Sequence, residues 1–170
     1  MSRVRPALLA AFALTALFAL AASSPTAAPL AAQSAPPDAP VWLRNPVISP
    51  DGQTIAFTWK GDIYRVPAAG GAAVPLTTHE AHDTKPVWSH DSRTIAFASE
   101  RYGNFDVFVM PASGGPARRL TYHSTAEVPY SFTPDDRAVL FGAARYDTAA
   151  NRLFPTGSQS ELYSVPVAGG

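Results

Sequence analysis

Apolar and polar residues alternate in short bursts along most of this chain, and the bursts recur. Ile55, Phe57 and Trp59 fall on one face of a run whose other face holds Thr54, Ala56 and Thr58. A period of two predicts a strand with one face against a core. Ile95 and Phe97, then Val139 and Phe141, repeat that face. A mostly apolar run follows, Ile63 to Val66 or Val107 to Met110, as in a strand buried on both faces. A shorter strand precedes each alternating one: Pro46-Val47-Ile48, Pro86-Val87-Trp88 and Tyr130-Ser131-Phe132. A polar fourth strand holds Pro75 in one copy and starts at Pro116 in another. Proline is tolerated mainly at sheet edges, which places this strand outermost. No helical period of 3.6 appears after Ala22.

These runs belong to one unit written three times. Ser49-Pro50-Asp51-Gly52 returns as Ser89-His90-Asp91-Ser92 and as Thr133-Pro134-Asp135-Asp136, at steps of 40 and 44 residues. Asp62-Ile63-Tyr64 returns as Asp106-Val107-Phe108 and Glu161-Leu162-Tyr163. Gly70-Gly71 returns as Gly114-Gly115 and Gly169-Gly170, and Leu76-Thr77-Thr78-His79 returns as Leu120-Thr121-Tyr122-His123. Four short strands at a period of about 40–45 residues read as a blade of a β-propeller. The predicted fold is all-β, with about three four-stranded blades at residues 41–79, 80–123 and 124–170. A closed ring takes typically about 4–8 blades. Three blades, the last lacking its outer strand, predict an incomplete ring and a chain that is either the front of a longer protein or a truncated gene product.

The beginning of the chain has another character. Arg3 and Arg5 precede an apolar run over residues 7–22, and small residues and prolines follow. That order is the pattern of a secretory signal, expected over residues 1–32 and cleaved after Ser23, Ala28 or Ala32. Residues 33–40, rich in proline and alanine, read as a linker. The expected location is periplasmic or secreted, with no membrane attachment after cleavage.

Composition narrows the function. Thirteen Lys and Arg balance thirteen Asp and Glu, which argues against a nucleic-acid binder. A hydrophobic content of 46% with only 15% charged residues excludes a disordered chain. With no cysteine there is no disulfide, thiolate metal site or cysteine nucleophile.

The repeat pattern of Pro-x-Trp-Ser-x-Asp, Ile-Ala-Phe, Asp-Val-Phe-Val-Met-Pro, Gly-Gly and Arg-Leu-Thr resembles the WD-like propeller repeats of TolB-type proteins, prolyl-oligopeptidase-type peptidases and tricorn-type proteases. Trp42-Leu43-Arg44, Lys60-Gly61-Asp62-Ile63-Tyr64, the stretch from Arg101 to Asp106 and the stretch from Asn151 to Pro155 look most like the tricorn-like serine peptidases of bacteria. The resemblance implies an N-terminal propeller that gates or guides peptide or protein substrates toward a catalytic core in downstream domains. The alternatives are a non-enzymatic periplasmic binding propeller of the TolB type and a prolyl-oligopeptidase-type hydrolase. A TolB-type protein carries an α/β domain before its propeller, for which the short lead to Trp42 leaves no room.

No residue is assigned to catalysis, to a cofactor or to a metal. His79-Glu80-Ala81-His82 has two histidines three apart in a turn region, where a zinc peptidase needs four on a helix. His79 and His123 are expected to bond backbone at a blade edge, and His90 to be exposed. Asp51, Asp91 and Asp135 recur at one turn position, which fits turn-fixing better than acid–base work. Asp62, Asp106 and Glu161 open the third strands and are expected to pair with backbone or a neighbouring blade. Ser158 lacks the second glycine of a Gly-x-Ser-x-Gly elbow. Arg93, Arg101, Arg118 and Arg119 read as a solvated face. The distance from turn aspartate to third strand grows from 11 to 15 to 26 residues. In that last insertion Arg145, Tyr146, Arg152 and Phe154 are candidates to meet a ligand, a neighbouring domain or the channel rim.

Overall fold

A computed structural model describes residues 42–145 and 160–169. The chain divides into Met1–Asp38 and Ala39–Gly170, and every described residue belongs to the second unit. The expected signal and linker lie outside the described residues, as do Tyr146, Arg152, Phe154 and Ser158.

Among the described residues eleven strands form three antiparallel sheets in chain order. The first contains β1 (Arg44–Ile48), β2 (Thr54–Trp59), β3 (Asp62–Pro67) and β4 (Val74–Pro75). The second contains β5 (Asp83–Trp88), β6 (Thr94–Ser99), β7 (Asp106–Pro111) and β8 (Arg118–Arg119). The third contains β9 (Glu127–Phe132), β10 (Ala138–Ala143) and β11 (Glu161–Pro166). Within each sheet the order follows the sequence, so every connection is a hairpin. β1 lies beside β5, and β5 beside β9, so the first strands form the shared inner edge. Three blades of an all-β propeller are present, and they do not close a ring.

The first strands begin earlier than the sequence pattern predicts. β1 starts two residues before Pro46 and β5 three before Pro86. Between Arg44↔Thr58 and Val47↔Ala56 the inner strand holds one extra residue, and the same bulge falls between Thr84↔Ala98 and Val87↔Ala96. Asn45 and Lys85 take positive φ there, directly before the prolines. A bulge at a sheet edge accepts a proline because no ladder partner awaits its missing N–H. The prolines lie inside the strands, not at their starts.

Stacking of the sheets buries the core. On one face of the second sheet Ile95, Phe97, Phe108 and Met110 pack with Ala56 and Ile63 of the first. On its other face Ala96, Val107, Val109 and Leu120 pack with Phe132, Val139, Phe141 and Val165 of the third. Each fully buried large apolar side chain contributes about 1.5–3 kcal/mol. β7 is buried through Met110, as predicted for a strand covered on both faces. In β3 only Ile63 is buried, because a second sheet covers one face alone. Leu162, the counterpart of the fully buried Ile63 and Val107, is 65% exposed.

Cross-strand aromatic pairs repeat from blade to blade. Phe57 stacks on Tyr64, Phe97 on Phe108 and Phe141 on Tyr163, with centroids 5.8, 5.7 and 5.7 Å apart. The recurring Leu-Thr has a paired role. Leu120 enters the core, while the hydroxyls of Thr77 and Thr121 accept the N–H groups of Ile63 and Val107, both at 2.9 Å.

Candidate functional site at the two ends and the inner edge of the blades

One end of every sheet is made by the Ser/Thr-x-Asp turn. Ser49 Oγ donates to Asp51 Oδ1 at 2.5 Å, and Gln53 N–H donates to the same oxygen at 3.0 Å. Ser89 with Asp91 and Thr133 with Asp135 repeat the hydroxyl bond at 2.6 and 2.7 Å. The N–H groups of Arg93 and Arg137 repeat the backbone bond at 2.9 and 3.2 Å. The hydroxyl bond first, and the backbone N–H next, hold each of these carboxyls below the ordinary aspartate value. Every one of these bonds lies within two residues of its aspartate, the geometry of a turn-fixing side chain.

The opposite end is built on buried ion pairs. Asp83 opens β5 and is fully buried; Arg101 Nη2 lies 2.7 Å from its Oδ2. Glu127 opens β9 and is fully buried; Arg145 Nε and Nη2 reach its Oε1 at 3.0 and 2.5 Å. Asp106 opens β7, with Arg119 at 2.8 Å. Burial pushes the Asp106 carboxyl up, Arg119 works against that shift, and the charge of Glu127 adds to it. Each guanidinium also lies over aromatic rings. Arg101 covers Phe97 and Phe108, Arg145 covers Phe141 and Tyr163, and Arg119 lies between Tyr102 and Tyr122. Such contacts favour a cation over a ring face.

Several candidate residues therefore change role. Arg101 and Arg119 are not a solvated face: buried carboxylates and rings hold them. Arg118 is exposed and donates to the Val167 carbonyl of the third sheet, whereas Arg93 is exposed, as expected. Arg145, a candidate ligand contact, is committed to Glu127 at the root of the long insertion. Asp106 pairs within its own sheet, and not with backbone or a neighbouring blade. Asp62 accepts from the Thr77 hydroxyl at 3.0 Å, and Glu161 from the Tyr163 hydroxyl at 2.6 Å. His79 and His123 accept backbone N–H groups two residues on, at 3.0 and 3.1 Å, as expected. His82 packs edge-on against Phe105.

Asp83 and Glu127 are absent from the sequence candidates. A signal was present: acid and arginine stand 18 residues apart in both pairs, Asp83 to Arg101 and Glu127 to Arg145. The change from Asp to Glu, and the different distance to the following proline, obscure it.

The inner edge offers the remaining chemistry. The bulges leave Asn45, Lys85 and Tyr130 exposed on β1, β5 and β9. Thr84 donates to Asn45 Oδ1 at 3.2 Å, which ties two inner strands together. Tyr130 lies across Gly142, where any Cβ would collide with its hydroxyl. Bulges re-aim side chains beside functional openings. The edge so made carries an exposed amide, ammonium and phenol.

Comparison with known proteins bears on this arrangement. The model of the tricorn protease N-terminal beta propeller domain family matches residues 40–170. The chain is 32% identical over 74 residues to the uncharacterized peptidase YuxL of Bacillus subtilis (strain 168), covering 38% of this chain and 11% of that protein. Among solved structures, TolB from Acinetobacter baumannii superposes with a TM-score of 0.59 at 21% identity, over 76% of this chain and 31% of that one. The tricorn protease superposes with a TM-score of 0.57 at 17% identity, over 74% of this chain and 14% of that one. At these identities the two structures show a shared propeller fold, and the chain spans under a third of either.

Proposed function

The chain belongs to the family of tricorn protease N-terminal β-propeller domains, and from that premise we propose that it is the substrate-handling propeller of an exported serine peptidase. The family match over residues 40–170 carries this reading, and the likeness to a stretch of a peptidase supports it. Its local task is to admit and orient peptides on the way to a catalytic core elsewhere in the protein. Asn45, Lys85 and Tyr130 on the inner edge are the side chains we assign to that passage. They bind extended backbone and acidic side chains through an amide, a charge and a phenol. Export is supported by Arg3, Arg5 and the apolar run that follows. The domain plan consistent with it is a signal over 1–32, a linker over 33–40 and blades from 41 onward.

The test uses the polypeptide of the complete reading frame. Lys85→Ala and Tyr130→Ala should lower kcat/KM for long peptides while leaving hydrolysis of short chromogenic substrates unchanged. A photo-crosslinking residue at position 85 should capture a bound peptide. Equal loss on long and short substrates overturns the guiding role, and a complete protein without peptidase activity favours a binding propeller.

A further inference from the structure

The inner strands bulge at matching places. Val47, Val87 and Ser131 face Ala56, Ala96 and Leu140, and the residues just before them are Pro46, Pro86 and Tyr130. Tyr130 therefore stands where the other two blades have proline. In β9 it is the extra residue of the bulge, between Ser131↔Leu140 and Pro129↔Phe141. A bulge releases a side chain from the alternation of its strand and re-aims it.

The phenol meets a second departure from the repeat. The fifth residue of the second strand is Thr58 in β2, Ala98 in β6 and Gly142 in β10. Thr58 and Ala98 are buried, so the sheet accepts a side chain at this position. Gly142 has none of the positive φ seen at Gly52 and Gly61, so its backbone does not call for glycine. Tyr130 does. A Cβ added to Gly142 would lie within 2.7 Å of the phenol oxygen, Cζ and Cε2, and these are its three nearest atoms. Phe141 and Ala143 face the second sheet, so Gly142 and the phenol over it lie on the opposite face of the third. The ring thus reaches from the inner edge onto that face, and Tyr130 stays 54% exposed.

We propose that Gly142 is a positioning residue for Tyr130. It leaves a notch in β10 that seats the tip of the phenol, and so sets where Tyr130 meets a passing peptide. The role rests on the assignment of Tyr130 to the substrate passage. Gly142→Ala fills the notch and drives the ring out of it. A half-exposed ring turns into solvent without disturbing the core, so the fold survives while the phenol moves.

Two measurements test this. In the 170-residue chain, nuclear Overhauser contacts should join the Tyr130 ring to the Gly142 Cα protons. In Gly142→Ala the contacts to that Cα should vanish, and the urea midpoint should not fall. If the midpoint falls, the double variant Tyr130→Ala/Gly142→Ala decides: with the ring gone the methyl displaces nothing, so it should unfold together with Tyr130→Ala. In the protein of the complete reading frame, Gly142→Ala and Tyr130→Ala should each lower kcat/KM for long peptides by about five-fold, the size of one lost hydrogen bond. Short substrates should be unaffected, and the double variant should lose no more than either single one. Ring contacts that persist in Gly142→Ala, or that are absent from the unaltered chain, overturn the positioning. A double variant less stable than Tyr130→Ala overturns it too, and so does full activity of Gly142→Ala on long peptides where Tyr130→Ala is impaired. Unimpaired hydrolysis by Tyr130→Ala instead overturns the passage assignment, and with it the role given to Gly142.

Discussion

Arg101 reaches across the end of the second sheet to the fully buried Asp83, 2.7 Å away, while its guanidinium covers Phe97 and Phe108. Arg145 and Glu127 repeat the arrangement in the third blade, over Phe141 and Tyr163. Among the described residues the first blade shows no such pair: the corresponding strand end carries Trp59 and Lys60, with the ammonium over the indole at 4.6 Å. Each pair ties the start of an inner strand to an arginine just past the second strand of the same sheet, β6 or β10.

Removing one member of such a pair strands a buried charge. Arg101→Met should therefore destabilise the folded protein by about 3–5 kcal/mol. Adding Asp83→Asn should restore part of the loss, because the stranded charge disappears. Urea unfolding of both single variants and the double variant measures the coupling. Additive losses would show that the two side chains do not depend on each other.

The repeat places one apolar position in three environments. Phe97→Ala, in the covered second blade, should cost about 3–5 kcal/mol, and Ile63→Ala about 2–5 kcal/mol. Leu162→Ala should cost under about 0.5 kcal/mol, the usual size for an exposed site. Equal losses at Ile63 and Leu162 would mean that another element covers Leu162 in solution.

The turn aspartates predict a direction with pH. Their folded carboxyls lie below the ordinary value of 3.8. Their contribution is therefore present above that value and lost as pH falls through the folded one. Ser49→Ala removes the largest cause of the shift, so the Asp51 carboxyl should move up toward 3.8 while Asp91 and Asp135 stay. Carbon-detected titration of the side-chain carboxyls reads all three. Asp106 runs the other way: its raised carboxyl opposes folding at neutral pH and is relieved by acid.

Export has its own test. In a bacterium with an intact secretion pathway, the mature product should start between Ser24 and Gln33. Intact mass that retains Met1 in a soluble cytosolic fraction refutes the signal assignment.

Local chemistry was legible without coordinates. Ser49-Pro50-Asp51-Gly52 and its copies make their bonds within five residues, from Ser49 Oγ to Asp51 and from Thr54 N–H back to Ser49. A turn of that kind reads directly from residue types, and so does the alternation of Ile55, Phe57 and Trp59. Repetition at 40 and 44 residues then leads to a propeller, since one sheet cannot cover both of its own faces. Contacts that span blades follow another logic. Ser92 meets Asp51 from 41 residues away and His90 meets Asp136 from 46, and nothing in either short motif names its partner. Arg101 read as surface because a charge is costly to bury alone, and only the fold brings Asp83 to neutralise it. Ile63, Val107 and Leu162 occupy one position of one motif, yet two are fully buried and the third is 65% exposed. Burial belongs to the neighbour that arrives, and that neighbour is supplied by the stacking of sheets, which no single repeat encodes.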